Sequence, residues 1–198
     1  MSAELGLDAD VIESASEAGA ELRVAMHSYL HTHDGHNQSV GVEMGYRCVS
    51  SLCVPGALDA ELSPPEFHPR KYTPSTMPGY RAPHVYLTTG TPVSRLFGDG
   101  FTLVAFPEAE ELAASTEQLR EAAQKRALPL EAVELPGEAH AHEVWAAYLV
   151  LVRPDGFVSW HGDSVRSREE ADRIIAQASG FDPGSLGTHG QVQERSAL

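Results

Sequence analysis

The stretch Ala146-Ala-Tyr-Leu-Val-Leu-Val-Arg-Pro-Asp-Gly-Phe-Val-Ser-Trp-His161 decides the fold. Ala146 to Val152 is an apolar run of strand length, the pattern of a strand covered on both faces. Arg153-Pro-Asp-Gly156 puts Pro at the second turn position and Gly at the fourth, so Phe157 to His161 returns as an antiparallel partner. Upstream, Phe101 to Phe106 is a strand introduced by Gly98-Asp-Gly100, and Pro107 to Ala114 is a loop or short helix. Ser115-Thr-Glu-Gln118 has the capping-box form and predicts a helix from about Thr116 to Ala127, ahead of a short strand from Leu130 to Leu135. The usual right-handed crossover makes those two strands parallel. Ser167-Arg-Glu-Glu170 is a second capping box, opening a helix through Ala171, Ile174, Ile175 and Ala178 that stops at Gly180.

The first half of the chain reads differently. Asp10 to Leu30 carries apolar residues at intervals of one, three or four, the spacing of an amphipathic helix, and His31 to Asn37 follows as a turn or loop. Ser39 to Val54 alternates in part, with Val40, Val42, Met44 and Tyr46 on one side, and predicts one or two half-buried strands. Cys48 and Cys53 in one strand would lie about 16 Å apart on opposite faces, too far for a disulfide, and read as buried thiols. Prolines at 55, 64, 65, 69, 74, 78, 83 and 92 forbid long helices and central strands between them. The expected organisation is an N-terminal helix and strand segment over 1–54, a Pro-rich connector over 55–95, an α/β domain over 96–181 and a tail over 182–198.

Composition narrows the function. The 198 residues hold 14 Lys plus Arg against 28 Asp plus Glu, a formal charge of −14. Such a surface repels nucleic acid and anionic lipid, so neither is an expected partner. The apolar run at Trp145 to Val152 is far short of the roughly 20 residues a membrane span needs. Met1 to Asp8 lacks the basic patch and apolar stretch of a secretory signal, so the expected location is cytoplasmic.

The order strand, helix, strand, hairpin, helix is that of a thioredoxin-like core. Pro78-Gly-Tyr-Arg-Ala-Pro-His84, Leu96-Phe-Gly-Asp-Gly-Phe-Thr-Leu103 and Leu151-Val-Arg-Pro-Asp-Gly-Phe-Val-Ser-Trp160 resemble the C-terminal region of FAD-dependent aromatic-ring hydroxylases of the phenol 2-monooxygenase type. Gly45-Tyr-Arg47 resembles the segment those enzymes carry just before it. The resemblance implies a thioredoxin-like fold that has lost redox chemistry, in a family that uses FAD. It also implies a non-catalytic structural or dimerisation module, paired as a homodimer or with a flavoprotein partner. An alternative is an accessory part of a split flavin monooxygenase, completed by a separate FAD-carrying chain. A small-ligand or metal-binding protein is another.

The residues themselves offer no catalytic or cofactor-binding set. No Gly-x-Gly-x-x-Gly turn joins a strand to a helix, so no FAD is expected on this chain. A thioredoxin places its cysteine after the first core strand, where a helix N-terminus lowers the thiol pKa; here that loop is Pro107-Glu-Ala-Glu-Glu-Leu112, without sulfur. His31-x-His33-x-x-His36 with Asp34 could gather zinc or copper if the loop folded around the ion, and otherwise is a solvated polar loop. His140 and His142 are read on a strand approaching Trp145. Arg81 and His84 are expected to pin the connector to the core, and Arg153 and Asp155 to shape the hairpin turn. Trp145 and Trp160 are expected on the hairpin, as core or dimer-interface packing.

Overall fold

The computed structural model describes residues 8–33, 38–60, 62–107 and 110–181. Its centre is a four-stranded mixed sheet built from β1 (Phe101–Ala105), β2 (Leu130–Glu134), β3 (Leu149–Val152) and β4 (Val158–Gly162), in the order β2-β1-β3-β4. β1 and β2 run parallel, with Phe101 opposite Leu130. β3 is antiparallel to both of its neighbours, with Leu103 opposite Leu151 and Leu151 opposite Trp160. That order and polarity are those of the thioredoxin-like core expected from the sequence.

Every residue of β1, β3 and β4 is buried, because both faces of the sheet are covered. On one face lie two of the helices, numbered in chain order after α1 (Ala9–Glu13), α2 (Glu17–His33) and α3 (Val40–Met44): α4 (Glu110–Gln124) and, after α5 (Ala139–Trp145), α6 (Arg168–Ala178). Leu119, Ala122 and Ala123 of α4 meet Ile174, Ile175 and Ala178 of α6 over Leu103, Leu149 and Leu151. On the other face α5 and the connector cover Val104, Val150, Val152 and Val158, with Trp145 fully buried among them.

Several local expectations change. The helix after β1 begins at Glu110 rather than Thr116, so Ser115 lies inside it, and the Ser115 Oγ accepts from the Val165 N–H at 3.0 Å. The second cap forms as expected at Ser167, whose Oγ accepts from the Glu170 N–H at 3.2 Å, while the Glu170 carboxylate accepts from the Arg166 N–H at 2.8 Å. His140 and His142 lie on α5, not on a strand, and Trp145 ends that helix rather than standing on the hairpin. Trp160 is buried on β4 as core.

The Ser39 to Val54 segment forms no strand. Val40–Met44 is a short helix because Gly41 donates to the Pro69 carbonyl at 3.1 Å, and a Cβ on Gly41 would strike the His68 carbonyl. Alternation alone makes no strand where no neighbouring strand accepts its hydrogen bonds. Cys48 is exposed and Cys53 half-buried, so these are not the buried thiols expected; both are free. The N-terminal helix breaks at Ser14 to Ser16 into α1 and α2. No helix among the described residues is long and apolar enough to cross a membrane.

Candidate functional site

The Pro-rich connector is bound tightly to the sheet, and the polar side chains that bind it form the best-organised constellation in the chain. Gly79 donates to the Val158 carbonyl, Val158 to the Tyr80 carbonyl and Ala82 to the Gly156 carbonyl, at 2.8 to 2.9 Å, so residues 79–82 run along β4. Val54 adds a bond to the Ser159 carbonyl at 2.8 Å. A chain with this many prolines cannot join a sheet in register, yet its remaining N–H and C=O groups find partners at the edge.

Arg81, expected to pin the connector to the core, lies over the Phe157 ring, 5.0 Å from its centroid. His84, given the same expectation, is exposed and meets the edge of Tyr86 at 5.0 Å. Arg153 and Asp155 are turn residues. Asp155 accepts from Arg153 and from the Phe157 N–H, and Gly156 takes a positive φ of 80° to close the turn. A second clamp comes from Glu138, buried at the start of α5, whose carboxylate accepts from the Thr88 N–H at 3.0 Å and the Thr88 hydroxyl at 2.7 Å.

Deepest in the constellation is His161, on β4 and fully buried. Thr76 of the connector donates its single hydroxyl proton to the Trp145 carbonyl at 2.7 Å, and the same oxygen stands 3.2 Å from His161 Nδ1. With its proton committed, Thr76 is the acceptor, so Nδ1 carries a hydrogen. Nε2 then faces Asp59 Oδ1 at 3.3 Å, without the alignment of a hydrogen bond. Asp59 is held there because its other oxygen accepts from the Gly56 N–H at 2.6 Å. Burial lowers the pKa of His161, while Asp59 pulls it the other way. No short-range motif marks this group, since Thr76 and His161 are 85 positions apart.

Of the expected histidine set, His31 and His33 lie among the described residues. His31 and His33 close α2, where residues two apart point to opposite sides of the helix. His33 stacks on Tyr29 and bonds its carbonyl, and His31 touches His27. His36 and Asp34 of the expected set lie outside the described residues. Among the described residues no group of three His, Cys, Asp or Glu is placed to hold a metal.

An FAD phosphate cradle does not fit the strand–helix–strand unit β1-α4-β2. Its nearby glycines precede β1 and serve close packing: a Cβ on Gly98 would lie 2.5 Å from the Glu131 carboxylate, and one on Gly100 2.6 Å from the Pro129 carbonyl. A carboxylate beside the glycine repels a pyrophosphate, where a cradle needs free N–H groups at a helix start.

The sheet order, the connector and the sulfur-free turn after β1 define a thioredoxin-like domain without the thioredoxin dithiol. The family described as aromatic-ring hydroxylase, C-terminal, matches residues 75–180, and the chain belongs to it. The chain is 85% identical over its whole length to the FAD-dependent monooxygenase apdD of Emericella nidulans, of which it covers 32%. It is 43% identical over 175 residues, 88% of its length, to the FAD-dependent monooxygenase opdD of Penicillium oxalicum, covering 33% of that protein. A solved structure of native and K252c-bound RebC-10x shares the fold with a TM-score of 0.62 at 28% identity, over 87% of this chain and 31% of that one. The chain thus spans about a third of the length of the curated relatives it matches, in their C-terminal region.

Proposed function

We propose that this chain is a non-catalytic module that works by docking onto the flavin-bearing portion of an FAD-dependent aromatic-ring monooxygenase. The observation that carries this reading is the turn after β1. In a thioredoxin fold that position holds the reactive cysteine, and here the sequence from Phe106 to Leu112 has no sulfur and three carboxylates. The polar groups around His161 hold the connector, Thr76 by its bond to the Trp145 carbonyl and Asp59 by its bond from the Gly56 N–H. The likeness to the last third of FAD-dependent monooxygenases supports a role beside a flavin rather than on one.

The reading is tested by a spectrum of the purified chain and by hydroxylation of a phenolic substrate with and without it. The chain alone is expected to be colourless, and joined to a flavin-bearing portion it is expected to raise the rate or coupling of hydroxylation. A flavin held by this chain alone, or a rate and coupling that do not respond to it, would end the reading.

A further inference from the structure

The chain's two cysteines would be held apart by a strand, but Cys48 and Cys53 lie in no strand. Between them the backbone turns, with the Cys53 N–H donating to the Ser50 carbonyl at 3.1 Å and the Leu52 N–H to Ser50 Oγ at 3.3 Å. The turn folds the second cysteine back onto the first. Cys53 Sγ donates to the Cys48 carbonyl oxygen at 3.5 Å. Covalent geometry then caps the separation of the two Cα atoms at about 9 Å, against about 16 Å along a strand. Each bend at the thiol or the carbonyl shortens it toward the roughly 4.4–6.8 Å that a disulfide spans.

Both arms of this turn are held from outside it. Cys48 donates its N–H to the Gly79 carbonyl at 2.7 Å, and its own carbonyl lies 2.8 Å from where a Cβ on Gly79 would stand. On the other arm the Ser159 hydroxyl of β4 donates to the Leu52 carbonyl, and the Val54 N–H donates to the Ser159 carbonyl. The Gln177 amide of α6 donates to the Ser51 carbonyl at 3.2 Å and to the Cys53 carbonyl at 3.1 Å. The connector, β4 and α6 together thus fix where the two sulfur-bearing residues stand. Pairing groups in this way raises the effective concentration of one toward the other above that in a free chain.

We propose that Cys48 and Cys53 are a reversible redox pair, which closes to an intrachain disulfide by exchange with a small-molecule disulfide such as that of glutathione. Cys48 is the exposed thiol and Cys53 the half-buried one, so Cys48 reacts first. It loses its proton to solvent and attacks one glutathione sulfur as the thiolate, and the other glutathione leaves as a thiolate that water protonates. Cys53 in turn loses its proton and attacks the Cys48 sulfur of the mixed disulfide, expelling the second glutathione. Two protein thiols are oxidised and one glutathione disulfide is reduced to two glutathiones. The closed bond clasps the turn against the connector at Gly79, where hydrogen bonds alone hold it in the reduced chain.

The test equilibrates the full chain in glutathione buffers of varied oxidised-to-reduced ratio, quenches with acid, and reads the mass loss of two hydrogens with peptide mapping of the link. The equilibrium constant for closing the disulfide is expected to be at least about tenfold larger in the folded chain than in the same chain in denaturing urea. Gln177→Ala, which releases the Ser51 and Cys53 carbonyls, should move the folded value toward the urea value. Cys53→Ser should take up glutathione at Cys48 faster than Cys48→Ser does at Cys53. Equal constants in the folded and urea-denatured chain would overturn the proposal, as would a folded chain that carries glutathione on both cysteines without closing, or one that links to a second chain instead. Faster uptake at Cys53 would overturn the order of the two steps.

Discussion

Nε2 of the buried His161 stands 3.3 Å from Oδ1 of Asp59, across the seam between β4 and the turn at Ala57–Ala60. Asp163 also favours the charged imidazole and Arg47 opposes it, but burial outweighs them and the pKa is lowered. The unfolded chain therefore takes a proton that the folded chain refuses. Stability from this group is complete above about pH 6.5 and is lost as the pH falls below it, until the folded group titrates as well. The urea midpoint of the wild type should drop between about pH 7 and pH 5 more steeply than that of His161→Gln. Asp59→Asn, which removes the main pull toward the charged form, should extend the loss to lower pH. Parallel curves for wild type and His161→Gln would refute this.

Gly79 takes a φ of +94°, and a Cβ there would lie 2.8 Å from the Cys48 carbonyl. Gly79→Ala should cost about 1–3 kcal/mol in chemical denaturation, because strain and a backbone clash combine. Gly90 has a φ of +79° with nothing within 4 Å, so Gly90→Ala should cost about 1 kcal/mol from strain alone. Equal losses would show that the clash is relieved.

Glu138 couples α5 to the connector through Thr88. Glu138→Ala removes hydrogen bonds to a charged acceptor and should cost about 1.5–3 kcal/mol, with Glu138→Gln losing less because an acceptor remains. If Glu138→Gln melts with the wild type, the charge carries no part of the clamp.

Leu119 is fully buried between the sheet and α6, and Leu119→Ala should cost about 2–5 kcal/mol. Val24→Ala, at an exposed position of α2, should move the isolated chain's stability by no more than about 0.5 kcal/mol. A large loss at Val24 would mean that α2 is already packed.

The sheet and α6 were legible because their signals are local: apolar runs of strand length, a turn with Pro and Gly in the required places, and Ser167 three residues before Glu170. The start of α4 was not, since Ser115-Thr-Glu-Gln118 carries the letters of a cap while its hydroxyl is committed to Val165, 50 positions away. α5 was hidden by its own histidines. The Val40 alternation misled for a plainer reason, that a strand exists only beside another strand, and the neighbours of Gly41 turned out to be the carbonyls of His68 and Pro69. Arg81, Arg153 and Asp155 stand out in the sequence through their motifs, whereas Thr76, Asp59 and Glu138 owe their places to contacts that the linear order does not announce.

The bonds from Val54 and residues 79–82 to β4 also decide how the protein can meet its own kind. They use up that margin of the sheet, so lateral growth by strand addition is left only the margin of β2, where Glu131 and Glu134 are exposed. Two molecules zipped together there would crowd four carboxylates onto one seam, a guard against stacking into fibrils that leaves helix-mediated pairing unhindered.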